Sequence, residues 1–461
     1  MKMITTDYRL GDIIRDYYGL YIANICRERQ LPDERDGMRI VQRRIFWTFY
    51  EQGKASRNSF TKSASIVGDS LKLHPHGDAS TYGCLAAECN SNAGLLTGKG
   101  NWGSVGFERL RPAAMRYTEC KFSMSADNYF EFAHLSEMVP GEMDKKEPKF
   151  IPVPVPYALL GGFFGLVKSV GVSRIPPYNV NDLVKRLKYL LKKGKKEVIK
   201  PDFKNLEMEG DFEELLKSGK GKIKYYPALN IDEEKKTIEI TAISPHISNG
   251  NARLESLEEK YRKVLSKIVN ATSKKTSVII EYNTKVKEPE YSFENLCAAV
   301  KDAFTIAVPY NFLVYRDEGD YPVIGVDEWL LSNYKRCVAY RKMSLQGDIN
   351  EEQAKIDLAT AILKCRPLIT ATLSKNPRMT KAAMDALEAE SLKVLDNDSE
   401  MLKKVYAISI TRLLTVDLDT SVYKKNIQMF KEQMQECSVE EWLFNWMSSW
   451  SKKGSVNAST K

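Results

Sequence analysis

The sequence predicts an α+β protein made of three successive regions, and each region supplies one observation for this class. Residues 1–150 combine short amphipathic helices with many turn-forming residues. Residues 151–325 contain stretches in which apolar and polar residues alternate, which is typical of strands. Residues 326–437 have a helical pattern that continues too far for one helix of a compact domain, so we expect a long antiparallel coiled coil.

Composition restricts the function classes before any motif is considered. The chain has 461 residues, of which 43% are hydrophobic and 28% charged, as in a globular protein of two or three domains. No apolar run approaches the roughly 20 residues that span a bilayer, and the N-terminus is not typical of a signal peptide. The cysteines form no C-x-x-C pair, so we expect neither a zinc site nor disulfides. We therefore expect a cytoplasmic protein without a membrane partner, and its net charge of +9 is compatible with a polyanion.

The first region begins with an arginine-rich helix, DGMRIVQRRIFWTFYEQG, for which Asp36 is the expected N-cap. Apolar residues at helical spacing predict one buried face, formed by Met38, Val41, Ile45 and Phe49. Three arginines fall on other faces, where they would offer guanidinium groups to a ligand: Arg39, Arg43 and Arg44.

Two further helices are predicted at 62–72 and after Asp78, separated by the turn HPHG. Two short helices joined by a tight turn indicate a helix-turn-helix. The turn holds two of the chain's four histidines, which favours a functional site there. The glycine-rich stretch from Gly94 to Gly106 excludes a long helix and is compatible with the wing of a winged helix.

The second and third regions have simpler patterns. KTIEITAIS (236–244) and TSVIIEYNTKV (276–286) predict strands, whereas 185–200 predicts a basic helix and turn. In the third region, breakers at CRPLI and SKNPRM (365–379) precede a short helical knob, and a return helix is expected from Ser399, bent at 415–419. Beyond it, tryptophans recur at every fourth residue on one helical face, which favours packing on the chain's own core or a second copy over docking on a different protein: Trp442, Trp446 and Trp450.

Tyr117 is the candidate nucleophile because it directly follows Arg116 in RPAAMRYTEC. A phenol has a pKa near 10, so attack on a phosphodiester needs nearby cations or a base. The first 120 residues supply such groups: Arg29, Arg35, Arg39, Arg43, Arg44, Lys62, His74, His76 and Arg116. On these residues alone, a DNA-binding winged helix without chemistry is favoured over a tyrosine phosphoryl-transfer site.

Six ordered blocks change this balance: RQLPDERDGMRIVQRR (29–44), KSASIVGD (62–69), HPHGD (74–78), GKGNWGS (98–104), AAMRYTE (113–119) and SRIPPYN (173–179). In this order they closely resemble the DNA breakage-reunion subunit of type IIA topoisomerases, the family that includes the A subunits of gyrase and topoisomerase IV. Weaker similarity continues at LKSGKGKI (216–223) and ISITRLLTVDL (408–418). In its short length the chain resembles the subunit from the T-even-type bacteriophage branch of the family, whose enzyme is split across separate polypeptides.

The resemblance implies a role for each matching residue. Tyr117 would take the 5′ phosphate of a broken strand, Arg116 would stabilise the transition state, and His76 would contact the scissile region. Ile175 would be the apolar wedge inserted between base pairs. The other implied DNA contacts are Arg29, Arg39, Arg43, Arg44, Lys62 and His74. Three positions depart from the usual family pattern, namely Gln42, Ala79 and Gly83, and the last two make binding of quinolones by the usual metal-water bridge doubtful.

The resemblance also implies an organisation into five segments: an N-terminal arm (1–28), a winged-helix DNA-gate domain (29–150), a tower domain (151–325), a coiled coil (326–437) with a C-gate dimerisation knob at about 366–398, and a Trp-rich tail (438–461). Double-stranded DNA, a second copy of the chain and a separate polypeptide would be its partners. That polypeptide would bind ATP, and the arm would contact its toprim domain. The toprim domain would hold Mg²⁺, because the acidic stretches of this chain at 209–211 and 417–419 are unsuitable for a toprim site. We expect no metal site in this chain, and relaxation and decatenation rather than negative supercoiling.

Two other function classes remain open. A tyrosine recombinase also uses arginine, histidine and tyrosine, but its usual His-x-x-Arg pattern fails here, because Gly77 and Ala79 stand three residues after the two histidines. A non-enzymatic winged-helix protein that bends DNA would share the fold but form no covalent adduct. Covalent linkage to a 3′ end would favour the first alternative, and bending without linkage would favour the second.

Overall fold

The computed structural model divides the chain into two compact units, Met1–Cys337 together with Phe444–Lys461, and Val338–Leu443. The residues that the structure describes are 9–53, 58–105, 107, 109–167, 171–203, 205–272, 276–285, 289–316, 320–435 and 439–447. Among these residues no helix is both long and apolar enough to cross a membrane.

In chain order the α-helices are α1 (Leu10–Ile25), α2 (Ile40–Glu51), α3 (Ser63–Ser70), α4 (Asp78–Cys89), α5 (Met124–Tyr129), α6 (Tyr157–Gly161), α7 (Val180–Leu190), α8 (Phe212–Ser218), α9 (Gly250–Tyr261), α10 (Phe293–Ala303), α11 (Val326–Lys375), α12 (Lys381–Val394), α13 (Ser399–Tyr406), α14 (Ile410–Thr415) and α15 (Ser421–Gln433). A π-helical turn, Cys26–Gln30, follows α1.

The strands are β1 (Thr61–Lys62), β2 (Leu96–Lys99), β3 (Ser104–Val105), β4 (Arg109–Leu110), β5 (Glu119–Phe122), β6 (Met138–Pro140), β7 (Lys146–Pro148), β8 (Phe163–Val167), β9 (Gly171–Ile175), β10 (Glu207–Glu209), β11 (Lys220–Tyr226), β12 (Ala228–Asp232), β13 (Thr237–Ala242), β14 (Leu265–Asn270), β15 (Val278–Tyr282) and β16 (Ile306–Asn311). Both helices and strands are abundant, so the predicted α+β class is confirmed.

Helix α2 begins later than the sequence suggested. Arg39 is its N-cap residue, and the backbone N–H of Arg39 donates to Gln42 Oε1 at 2.9 Å. The expectation that Asp36 caps the helix is therefore wrong, because the Asp36 carboxylate instead accepts from the Met38 N–H and from Arg43. Most of the helix is buried, including Ile45 and Phe49 as predicted.

Helices α3 and α4 lie where the sequence predicted two helices around the HPHG turn. They are accompanied by a three-stranded antiparallel sheet in the order β1-β5-β2. Lys62 on β1 pairs with Glu119 on β5, and Gly98 on β2 pairs with Cys120. This sheet adjoins the candidate site, because β5 begins two residues after Tyr117.

The middle of the chain forms two larger antiparallel sheets, with strand orders β10-β11-β16-β9-β8 and β12-β13-β15-β14. The strands predicted at 236–244 and 276–286 are confirmed as β13 and β15. Their inward residues pack in one core with Leu254 of α9 and Leu296 of α10: Ile238, Ile240, Val278 and Ile280. The basic segment predicted as a helix and turn at 185–200 contains the end of α7 at Leu190, which is followed by a turn at 191–194.

The second unit contains most of α11 and all of α12 to α15. Helix α11 continues through Pro367 to Lys375, so the expected break at CRPLI is wrong. Proline disfavours helix interiors, but burial of Ile362, Cys365 and Ile369 in one apolar cluster stabilises the helix on both sides of it. The return segment begins at Ser399 and is interrupted after Thr415, as predicted.

The tryptophan-rich tail is helical over residues 439–447. Trp446 packs within the first unit, where its ring lies 5.2 Å from Phe132 and its Nε1–H donates to the Asn128 carbonyl at 2.7 Å. The preferred hypothesis, packing on the chain's own core, is thus supported for Trp446. Trp442 lies under the Arg341 guanidinium within the second unit, and Trp450 is outside the described residues.

Candidate active site

Tyr117 lies on an exposed turn between the glycine-rich segment and β5. Its side chain is 64% exposed, and its backbone N–H donates to the Ala114 carbonyl at 2.9 Å. The Arg116 guanidinium carbon lies 4.7 Å from the centre of the Tyr117 ring. Neighbouring residues on a strand would point to opposite faces, but this turn brings the two side chains together. A phenol and a permanent cation are therefore presented to solvent as a pair.

Lys62 is the second exposed cation near this turn. Its Nζ lies 2.7 Å from Glu119 Oε1, and Lys99 Nζ lies 3.4 Å from the other oxygen of the same carboxylate. Burial would raise the pKa of Glu119, but the Lys62 hydrogen bond dominates and lowers it. Both lysine side chains are more than half exposed, and the Glu119 carboxylate forms an ion pair with each of them beside the Tyr117 turn.

Arg43 does not have the placement expected of a DNA contact. Its guanidinium is buried, with Nε 2.6 Å from Asp36 Oδ2 and Nη2 3.2 Å from Asp33 Oδ2. Burial alone would lower the pKa of Arg43, but the two carboxylates raise it. The expectation that Arg43 contacts DNA is corrected, because its charge is neutralised inside the domain. Its ion pairs with Asp33 and Asp36 hold the segment before α2 against the helix.

Arg44 is also buried, and it organises the two histidines of HPHGD. It contacts Glu147 at 2.5 Å, Glu142 at 2.9 Å and His74 Nδ1 at 2.8 Å. The guanidinium donates to all three groups. The expectation that Arg44 contacts DNA is therefore corrected, because its charge stabilises the internal network. Burial, followed by the charges of Arg44 and His76, lowers the pKa of His74 to about 4. His74 is therefore a neutral, internal residue.

His76 occupies the accessible edge of this network. Its side chain is 28% exposed, its Nε2 lies 3.2 Å from Glu142 Oε2, and its ring is 4.6 Å from that of His74 in an edge-to-face arrangement. Helix α4 starts two residues later, and Tyr82 on that helix contacts the Tyr117 turn through the Ala113 carbonyl. Asp78 and Tyr82 are separated by a rise of about 6 Å along α4, so one short helix links the histidine turn to the tyrosine turn.

The remaining candidates have different surroundings. Arg29 is close enough to the histidine turn to lower the pKa of His74. Arg39 is half-buried, with its guanidinium carbon 5.3 Å from the Phe163 ring centre. Ile175 is only 2% exposed at the end of β9, so it is not presented to a ligand in this conformation.

Comparison with known proteins identifies the family. The family model of the A subunit of DNA gyrase/topoisomerase IV matches residues 29–448. This chain belongs to that family.

Individual relatives agree with the family assignment. The chain is 27% identical to the A subunit of DNA topoisomerase 4 from Staphylococcus epidermidis, over 91% of this chain and 54% of the relative. It is 26% identical to the A subunit of DNA topoisomerase 4 from Staphylococcus aureus over the same shares. A probable A subunit of DNA gyrase from Oryza sativa is 37% identical, over 38% of this chain and 19% of the relative. The chain thus spans about half the length of the two Staphylococcus relatives.

The fold also uses residues that sequence reasoning missed. Glu142 and Glu147 lie about a hundred positions beyond Arg44, and no spacing rule connects them to it. Asp33 and Asp36 could have been found, since they precede Arg43 by only ten and seven residues. Tyr82 lies on the helix predicted after Asp78, and its hydroxyl contacts the turn that carries Tyr117.

One cluster among the described residues can be tested as a metal site. His74, His76 and Glu142 have ligand atoms within 4.8 Å of one another. The Arg44 guanidinium, however, donates to both His74 Nδ1 and Glu142 Oε1. A divalent cation there would face a fixed positive charge and a histidine nitrogen that is already an acceptor. These residues do not fit a metal site.

Proposed function

We propose that this chain is the DNA-breaking and rejoining subunit of an ATP-dependent type II topoisomerase. Its family membership supports a role in DNA topology. The observation that carries the proposal is the Tyr117 turn, where an exposed phenol lies 4.7 Å from a guanidinium. A nucleophile that must reach the backbone of a duplex has to be exposed, and its substrate is a polyanion that the adjacent cation attracts.

In the proposed reaction, Tyr117 Oη attacks a backbone phosphorus atom. The new bond from phosphorus to Oη forms as the bond to the 3′ oxygen breaks, which leaves a 5′-phosphotyrosine and a free 3′ hydroxyl. Arg116 stabilises the negative charge that develops on the phosphoryl oxygens. The reverse attack of the 3′ hydroxyl reseals the strand, because the energy of the original ester is conserved in the tyrosyl ester.

Neighbouring groups would hold the DNA. We propose that His76 exchanges its Glu142 contact for the scissile region of the backbone, since both partners are accessible at that edge. Arg29, Arg39 and Lys62 would contact phosphates. Ile175 would act as a wedge only after the hairpin of β8 and β9 moves, because its side chain is buried.

The proposal extends to regions and partners. Residues 29–150 would be the winged-helix DNA gate, 151–325 the tower, and 326–437 the coiled coil, with a dimerisation gate at about 366–398. The exposed apolar residues of α1 suit the predicted contact with a partner polypeptide that binds ATP and holds Mg²⁺: Leu10, Ile14, Tyr17, Leu20 and Tyr21. Two copies would open a double-strand break for strand passage, giving relaxation and decatenation. The likeness to the medium subunit of T-even-type phage topoisomerases is part of this proposal, and identification of co-purified polypeptides tests it.

The experiment is a cleavage assay on the chain reconstituted with its ATP-binding partner, Mg²⁺ and supercoiled DNA. Trapped complexes are digested and mapped by mass spectrometry, and the chemistry of the DNA ends is determined. We expect a 5′-phosphotyrosyl adduct at Tyr117 in the wild type and none in Tyr117→Phe. Tyr189→Phe is the control, since this residue is a partly buried tyrosine on α7 away from the turn.

Three outcomes contradict the proposal. An adduct that persists in Tyr117→Phe assigns the nucleophile to another residue. Linkage through the 3′ end of the DNA indicates recombinase chemistry. DNA bending with no adduct in any variant indicates an architectural protein without catalytic activity.

A further inference from the structure

Tyr82 on α4 contacts both ends of the turn that carries Tyr117. Its hydroxyl donates to the Ala113 carbonyl oxygen at 2.6 Å and lies 3.0 Å from Thr118 Oγ1. Ala113 precedes the turn and Thr118 ends it. One phenolic oxygen on a helix therefore bridges the two points where the exposed turn joins the rest of the domain.

The far end of the turn is fixed by a chain of contacts below Tyr82. Thr118 Oγ1 lies 2.8 Å from Ser63 Oγ, and the Ser63 backbone N–H donates to the Thr118 carbonyl at 3.0 Å. Thr118 and Ser63 are both completely buried. Because Ser63 is the first residue of α3, the turn is connected through Tyr82 and Thr118 to both helices of the predicted helix-turn-helix.

The glycine-rich segment supports the same turn from its other side. The Ala113 N–H donates to the Asn101 carbonyl at 2.9 Å. A Cβ added at Gly98 would collide with the indole of Trp102, and one at Gly100 would approach the Tyr117 carbonyl to 3.0 Å. Trp102 in turn lies beside Tyr82, with ring centres 6.0 Å apart. The motif GKGNWGS thus packs closely on both Tyr82 and the tyrosine turn.

We propose that Tyr82 is a positioning residue for DNA cleavage, which holds the Tyr117 turn at both ends through the Ala113 carbonyl and the Thr118 hydroxyl. This inference depends on the function proposed above. Tyr117 itself is 64% exposed, so the position of its hydroxyl depends on the turn rather than on packing of its own ring. A displacement of the reacting atom by about 1 Å costs on the order of 100-fold in rate. Loss of the Tyr82 hydroxyl should therefore reduce the rate of chemistry without reducing DNA affinity.

The test compares wild type with Tyr82→Phe in the reconstituted enzyme. The phenylalanine ring preserves packing against Trp102 and removes only the hydroxyl. We expect the single-turnover cleavage rate to fall roughly 10- to 100-fold, with unchanged DNA affinity and with the adduct still on Tyr117. Thr118→Val approaches the same bridge from the opposite side and should give a smaller loss. In the double variant the two losses should be less than additive, because each substitution removes the contact between the Tyr82 and Thr118 hydroxyls.

A second measurement does not depend on activity. Amide hydrogen exchange of the peptide covering residues 113–118 should accelerate in Tyr82→Phe, while exchange in the strands β13 and β15 stays unchanged. An unchanged cleavage rate in Tyr82→Phe overturns the inference, as does a loss that lies entirely in DNA affinity. If Tyr82→Phe fails to fold, Thr118→Val decides by the same criteria. Failure of the proposed function is distinguishable, because then the wild type forms no adduct at Tyr117 at all.

Discussion

The Tyr117 turn and the start of α2 both carry arginine, but the surroundings of these cations are opposite. Arg116 is exposed beside Tyr117, and among the described residues no carboxylate lies within ion-pair distance of it. Arg43 and Arg44 are buried, and each is held by two carboxylates. The Tyr117 turn presents positive charge to solvent, whereas the charges of Arg43 and Arg44 are neutralised in internal ion pairs.

This contrast shows that an arginine is available to a polyanion only where no carboxylate neutralises it. A buried ion pair adds little net stability, because desolvation offsets much of its Coulomb energy, but removing one partner leaves an uncompensated buried charge. An exposed cation beside a nucleophile remains free to act on a phosphate. The two kinds of arginine should therefore respond differently to substitution, one in stability and the other in activity.

Arg43→Met should give the largest effect on stability. It leaves Asp36, which is fully buried, without its cation, and we expect a loss of about 3–5 kcal/mol in the free energy of unfolding. Urea denaturation measures this loss. Arg116→Met is the control and should change the free energy of unfolding by less than about 0.5 kcal/mol. Equal losses in the two variants would contradict the contrast between the regions.

Arg116→Ala should give the largest effect on chemistry among the arginines. We expect the rate of DNA cleavage to fall about 100-fold or more, because the substitution removes the cation that we propose stabilises the transition state. Single-turnover cleavage by the reconstituted enzyme measures the rate. Arg111→Ala removes another arginine five residues earlier and should leave the rate within about threefold of the wild type. A similar loss in both variants would reduce Arg116 to a general phosphate contact.

The buried network also predicts a dependence of stability on pH. The pKa of His74 is about 4 in the folded chain and near 6.5 when unfolded, so unfolding takes up a proton between these values. Stability should therefore fall as the pH is lowered from about 6.5 to 4, and His74 should contribute no such slope above that window. Denaturation of His74→Gln across this range should show a slope smaller by about one proton. His246→Gln should give a similar loss of slope, because burial also lowers the pKa of His246 to about 4, and an unchanged slope in His74→Gln would refute the prediction.

Lys62 should give the smallest effect, because it is partly neutralised. Lys62→Ala should weaken DNA binding severalfold and reduce the slope of log affinity against log salt by less than about one. Glu119→Gln should do the opposite, since it releases both Lys62 and Lys99. Fluorescence anisotropy at several salt concentrations measures both, with Lys235→Ala as a control at a distant lysine paired to Asp232. Weaker binding of Glu119→Gln would show that this carboxylate positions the lysines rather than neutralising them.

Local pattern was sufficient for most of the secondary structure. Helices α3 and α4, strands β13 and β15, and the interruption after Thr415 all lie where periodicity and turn residues predicted them. The errors occurred where tertiary contacts override local rules. Pro367 lies inside α11 because both flanks are buried in one apolar cluster, and Asp36 fails to cap α2 because Arg43 binds its carboxylate.

The candidate site divides in the same way. The adjacency of Arg116 and Tyr117, the paired histidines and the order of the six motifs were all legible in the sequence. The burial of Arg43, Arg44 and Ile175 was not, because burial depends on how the whole chain packs, and the carboxylates that hold Arg44 lie about a hundred residues away. No motif or local pattern in the sequence singled out Tyr82.

The sequence by itself therefore determined which residues could act and in what family, since adjacency and ordered motifs are properties of the chain alone. Only the tertiary structure decided which cations stay free. Glu142 and Glu147 reach Arg44 across about a hundred residues, and a charge pair formed by folding leaves no periodicity in the sequence. It was also the tertiary structure that joined Tyr82 to the Tyr117 turn, because a side chain on one helix must meet a loop that follows about thirty residues later.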